Sequence, residues 1–217
     1  MIMVKPAKIN YQKKLDDIIS ELEKNGETPT LLLHSCCAPC SSYTLEYLSK
    51  HFKITVYYYN PNIAPREEYQ RRAAEQKRFI SRLHPKNEIS LIEGEYRPED
   101  FYETIKGLES IPEGGERCFK CYRLRLESAA ALAAEKGFDY FTTTLSISPY
   151  KNAAKLNETA AELSNIYNVK NLPSDFKKKN GYKRSIELSA QYGLYRQDYC
   201  GCVFSKKERE KAVNSAK

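Results

Sequence analysis

Apolar positions recur at Leu15, Ile18, Ile19 and Leu22 within residues 10–25. This i, i+3, i+4, i+7 spacing predicts an amphipathic helix, stopped by Gly26. Residues 30–34 (TLLLH) form a short apolar run that predicts a buried strand, and residues 41–48 read as the helix after it. Residues 54–59 (ITVYYY), rich in β-branched and aromatic side chains, predict a second strand, broken by Asn60, Pro61 and Asn62. A charged helix is expected over 66–83, a third strand over 89–92, and a helix from Pro98 to Ile105. After a Gly/Pro loop at 111–117, a Leu/Ala-rich helix is predicted over 118–136, closed by Gly137. A fourth strand is expected over 139–145 and a helix over 153–167 capped by Asn152, with a fifth strand over 168–172. Residues 187–192 belong to a further helix, and the tail from Lys206 reads as a helix or a frayed end.

Strands thus alternate with helices. This predicts an α/β, Rossmann-like fold with a mainly parallel sheet, whose ligands sit beyond the carboxyl ends of the strands. No repeat, low-complexity tract or linker interrupts the chain, so residues 1–217 are expected to form one domain, large enough to bury a core. Its core would span about 28–206, with the N-terminal helix 10–25 and a charged C-terminal tail at the ends.

Composition narrows the function classes. No apolar run reaches the roughly 18 residues of a membrane span. Residues 1–8 lack the long apolar stretch of a signal peptide. A cytoplasmic protein with reduced thiols is therefore expected. The net charge of +7, from 35 Lys+Arg against 28 Asp+Glu, permits a polyanionic partner without requiring one. The 17 Tyr and 8 Phe, with no Trp, suit base stacking and core packing equally.

The seven cysteines change the picture most, because they fall in three tight groups. Cys36, Cys37 and Cys40 form CCxxC directly after the first predicted strand; Cys118 and Cys121 form CxxC; Cys200 and Cys202 form CxC. Such pairs place two sulfurs within reach of one metal or one partner thiol. Three readings stay open on spacing alone. They are a zinc site of four cysteines with three further thiols, a thiol redox relay, and an iron–sulfur site with three cysteines left for a second metal or a redox pair.

Six ordered segments carry a resemblance: residues 32–40 (LLHSCCAPC), 58–63 (YYNPNI), 117–123 (RCFKCYR), 142–152 (TTTLSISPYKN), 176–185 (FKKKNGYKRS) and 199–202 (YCGC). Together they resemble the cobalamin-independent epoxyqueuosine reductases, over about residues 28–206. The resemblance implies a fold similar to the PP-loop ATP pyrophosphatases, of the adenine nucleotide alpha hydrolase type. Residues 34–42 (HSCCAPCSS) stand where those enzymes carry a glycine-rich phosphate loop, and without its glycines no ATP use is expected. It further implies reduction of epoxyqueuosine to queuosine at the wobble position of tRNA, the last step of queuosine formation. The implied cofactors are a four-iron–four-sulfur cluster and a second mononuclear metal, iron. The partners would be tRNA and an external low-potential electron donor, with no cobalamin and no membrane.

Mapped onto this chain, the cluster ligands would be Cys36, Cys37, Cys118 and Cys121. Cys40, Cys200 and Cys202 would serve the second metal or a redox pair. Some members of the family carry aspartate where this chain has Cys40, and both are anionic metal ligands. His34, Tyr59 and Tyr150 are candidate acids for the departing oxygen, though a histidine at a strand end is also an ordinary core residue. Asn60, Asn62, Ser146, Ser148 and Tyr150 are candidates for the nucleoside pocket, or turn and cap residues. Lys177, Lys178, Lys179, Lys183 and Arg184, with Phe176 and Tyr182 interleaved, would meet RNA; a solvated turn is the plain alternative. Arg66, Arg71 and Arg72 form a second basic group or a helix surface. A zinc-stabilised RNA-binding module without catalysis and a PP-loop-like ATP-dependent tRNA-modifying enzyme are the competing functions.

Overall fold

The computed structural model describes residues 9–215; the expectation about a signal peptide falls on residues outside them. The elements run α1 Tyr11–Asn25, β1 Thr30–His34, α2 Ala38–Leu48, β2 Lys53–Tyr58, α3 Arg66–Ser81, β3 Ile89–Glu93, α4 Pro98–Thr104 and α5 Glu116–Glu135. Then follow β4 Tyr140–Thr143, a 3₁₀ turn Thr144–Ile147, α6 Ala153–Tyr167, β5 Lys170–Asn171, α7 Gly181–Gln191 and α8 Val203–Asn214. The five strands form one parallel sheet in the order β3-β2-β1-β4-β5.

Strand β1 is central, and its alternation sets the two layers. Leu31 and Leu33 face a core with Leu45, Leu48, Ile54, Val56 and Phe79, under α1, α2 and α3. Leu32 faces the other way, onto Leu126, Ala129, Ala130, Ala133, Phe141, Leu156 and Leu163, under α5 and α6. All three leucines are fully buried, so truncating any one to alanine costs about 2–5 kcal/mol. Strand order reverses between β1 and β4, and in a parallel sheet that switch point opens a crevice at the strands' carboxyl ends. Among the described residues no helix is long and apolar enough to cross a membrane.

Three boundaries differ from expectation and matter for the site. Helix α2 begins at Ala38, with Cys37 as its N-cap, so Cys40 lies in its first turn rather than ahead of it. Strand β4 ends at Thr143, whose hydroxyl accepts from Leu145 N at 3.1 Å and turns the chain into the 3₁₀ segment. Helix α7 begins at Gly181, so it takes in residues ahead of the stretch 187–192 expected to be helical.

Candidate metal centre and substrate cavity

Each cysteine group stands at the start of a helix. Cys37 caps α2, Cys118 and Cys121 lie in the first two turns of α5, and Cys202 caps α8. Helix N-termini favour anions, which suits thiolates. All seven cysteines are free. The sulfurs of Cys36, Cys37 and Cys40 lie within 4.8 Å of one another. Cys36 Sγ is 3.8 Å from Cys37 Sγ and 3.7 Å from Thr144 Oγ1, which ties the loop after β1 to the loop after β4. Hydrogen bonds from the Cys37 and Cys40 thiols hold the Cys36 pKa well down; those two are in turn pushed up by sharing with Cys36 and by burial.

The second gathering is Cys118, Cys121, Cys200 and Cys202, which line a small internal space together with Asn62, Tyr122, Arg125 and Lys151. Phe101 of α4 and Ile105, its C-cap, pack against Cys121 and Cys202. Burial pushes the Cys121 thiol up to about 12. Cys36 of the first group and Cys118 of the second pack against the same apolar cluster under α5 and α6, so the two gatherings adjoin. Cap and first-turn positions on α2 bring Cys40 to its sequence neighbours, whereas the starts of α5 and α8 converge on each other. Cys200 lines both this space and a larger cavity of about 480 Å³ that also reaches Cys36, Cys37 and Cys40.

Buried cations surround the thiols. Arg72 is 2% exposed; its Nε donates to Glu68 at 2.7 Å and its Nη1 to the Cys200 carbonyl at 3.2 Å. Lys151 is paired with Glu113 at 3.1 Å, and Arg117 with Glu208 at 2.8 Å. Burial acts against the Lys151 charge, but Cys200, Tyr122 and Glu113 outweigh it and hold its pKa well above the ordinary lysine value. None of these cations was singled out by sequence as part of a metal site. A lone basic residue in a helix or turn reads as solvated, and only the tertiary packing buries it.

The family model for epoxyqueuosine reductase QueH matches residues 31–208. The chain belongs to the epoxyqueuosine reductase QueH family. It is 52% identical over 206 residues to a Staphylococcus epidermidis protein named epoxyqueuosine reductase QueH, covering 93% of this chain and 87% of that one. A Streptococcus pyogenes relative of the same name is 46% identical over 202 residues, covering 92% and 79%. A Thermotoga maritima relative, also so named, is 34% identical over 183 residues, covering 83% and 92%.

The remaining family-derived residues divide between cavity and core. His34 is fully buried, with Nδ1 2.8 Å from Thr143 Oγ1 and Nε2 3.0 Å from the Tyr59 carbonyl. A carbonyl can only accept, so Nε2 carries the proton and Nδ1 accepts from Thr143. Burial, then Arg125, press the His34 pKa down to about 4, and the neutral ring pins β1 to its neighbours. Tyr59 donates to Asp100 at 3.1 Å and stacks on Tyr57, away from the cavity lining. Of the three candidate acids, Tyr150 alone lines the cavity, and it is 74% exposed.

Ser148 and Tyr182 also line the cavity. Asn60 is buried and donates to the Ser35 carbonyl, and Ser146 bonds Ser174, so both serve turns rather than the cavity wall. Asn62 faces the small thiol space. The basic segment is largely neutralised: Lys177 pairs with Asp175, Lys179 with Asp16, and Arg184 with Glu46 and Glu187. Lys178 and Lys183 stay exposed. Phe176 is fully buried and unavailable for stacking on a base. Arg66 and Arg71 lie over the rings of Tyr96 and Tyr195, so of that second basic group only Arg72 reaches the cavity.

Proposed function

We propose that this protein reduces epoxyqueuosine to queuosine in the anticodon loop of tRNA, as the last step of queuosine formation. In this reading it is a single-domain cytoplasmic oxidoreductase that takes electrons from an external low-potential donor and uses neither ATP nor cobalamin. The reaction breaks both C–O bonds of the epoxide, consumes two electrons and two protons, and leaves a carbon–carbon double bond and water. The observation that carries the reading is the convergence of seven free thiols on two adjoining spaces walled by buried cations. That donor set fits a four-iron–four-sulfur cluster and a second iron, whose ligands are anionic thiolates. Buried arginine and lysine offset thiolate charge that the protein interior would otherwise disfavour.

Cys36, Cys37 and Cys40 would hold one metal group and Cys118, Cys121 and Cys202 the other, with Cys200 between them. The bound metal group supplies the electrons, one at a time. The chain's own residues bind and orient the nucleoside. A cavity of about 480 Å³ falls in the range that encloses a small ligand. Tyr150, Tyr182 and Tyr199 line it, and so does Ser148. Tyr150 and Lys151 are donors on the wall for the departing oxygen. Exposed Lys178 and Lys183, beside Tyr182, would meet backbone phosphates.

Anaerobic reconstitution with iron and sulfide, followed by turnover of epoxyqueuosine-containing tRNA, tests the proposal. Iron uptake with thiolate-to-iron charge-transfer absorption and formation of queuosine is expected. A chain that binds zinc tightly and takes up no iron would instead be a zinc-stabilised RNA-binding module. ATP consumption coupled to tRNA modification would favour the PP-loop-like alternative.

A further inference from the structure

Arg125 occupies a place where an arginine is hard to accommodate. It lies on α5 one turn beyond Cys121 and is 1% exposed. Its Nε donates to the Cys121 carbonyl at 3.2 Å, and its Nη2 has no partner. The ion pairs of the other buried cations, Arg72 with Glu68, Arg117 with Glu208 and Lys151 with Glu113, have no counterpart at Arg125 among the described residues. A guanidinium cannot shed its proton, and an uncompensated charge in the interior is strongly destabilising. A structural arginine would have its fork filled by carbonyls or a carboxylate. This one faces thiols: it lines the small space with Cys118, Cys121, Cys200 and Cys202.

We propose that Arg125 is the fixed counter-charge of the small thiol space, a positioning residue that offsets the charge of the sulfur ligands Cys118, Cys121, Cys200 and Cys202 and raises the reduction potential of the metal they bind. This rests on the metal-binding reading above. The unfilled guanidinium then has its partner, namely the sulfur ligands. A permanent positive charge beside the metal stabilises the reduced, more negative state, so its removal moves the potential downward.

The test compares wild type, Arg125→Lys and Arg125→Gln. Each is reconstituted anaerobically with iron and sulfide and, separately, with zinc, and the folded state is checked by thermal melting. Metal per chain is measured, and the iron-loaded forms are titrated for midpoint potential. Arg125→Lys is expected to keep metal content and potential close to wild type. Arg125→Gln, which can still donate to the Cys121 carbonyl, is expected to lose metal and to titrate at a more negative potential. A Gln variant equal to wild type in both readouts overturns the proposal. So does a Lys variant as impaired as the Gln variant, including failure of both to fold, because the fork's packing and not its charge would then be at issue. A wild-type chain that takes zinc but no iron would end the reductase reading, while zinc content in the three proteins would still decide the role of Arg125.

Discussion

Gly201, between Cys200 and Cys202, gives the sharpest test of how the C-terminal thiols are positioned. Its φ is +119°, a conformation that L side chains rarely adopt. A Cβ there would lie 2.9 Å from Ile63 Cγ1 and 3.0 Å from Arg72 Nη1. Neither neighbour can yield easily. Ile63 is 1% exposed within the Tyr58–Tyr69 cluster, and Arg72 is held by Glu68 and the Cys200 carbonyl. The Gly201 carbonyl also accepts from Ala64 N at 3.0 Å, which fixes the loop from its other side. Gly201→Ala therefore carries backbone strain of about 1–3 kcal/mol and overpacking of about 1–3 kcal/mol. For a chain of this size that sum lowers Tm by about 4–24 °C. Gly193→Ala is the control: φ is +57° and nothing lies within 4 Å of the added Cβ, so it should cost about 1 kcal/mol, or about 2–4 °C. Calorimetry on the metal-free proteins reads the fold, and iron per chain after reconstitution reads the site. Equal falls for the two variants, or unchanged iron in Gly201→Ala, would refute the reasoning.

Asp139 accepts from Thr30 N and Oγ1 at 2.8 and 2.7 Å, and these bonds hold its pKa below the usual carboxylate value. A depressed carboxyl adds stability above its unfolded pKa and loses it as pH falls through the folded value. Between about pH 5 and about pH 3, denaturant titrations should show wild type losing more stability than Asp139→Asn; parallel pH dependences would contradict this. Replacing Lys178 and Lys183 by alanine should reduce the salt slope of tRNA binding by about 1.4–1.8. The same change at Lys177 and Lys179, which are already paired with Asp175 and Asp16, should do less; the reverse ranking would move the phosphate contacts elsewhere. Tyr150→Ala should weaken tRNA binding by about 1–3 kcal/mol through lost stacking, with Tm unchanged because the ring is 74% exposed. Unaltered affinity would place the base away from that rim.

The sheet was legible where apolar runs were unambiguous. Leu31 to Leu33 read as a buried strand because β1 is central and covered on both faces. Asn152 was legible as a cap because its side chain accepts from Lys155 N. Where a side chain redirects the backbone, as Thr143 does, apolar content alone carried the predicted strand too far. The thiol groups were visible as spacing; how α2, α5 and α8 bring them together is a matter of tertiary geometry. Arg125 was invisible for the same reason, being one basic residue in a Leu/Ala-rich helix whose environment only packing reveals. The ion pairs of the basic run at 177–184 were not legible, because Asp16 and Glu46, the partners of Lys179 and Arg184, lie more than a hundred residues away.

The wide separation of the three cysteine groups along the chain also orders events during synthesis. The small thiol space is closed by Cys200 and Cys202, and Cys202 caps the last helix described, α8. A nascent chain therefore carries five thiols, from Cys121 onward, before the two that complete the enclosure are made. The ribosome must release the chain as far as Cys202 before that enclosure can exist. The small space accordingly closes only after Cys202 is made, and the interval before that is the period in which the early thiols are most open to oxidation.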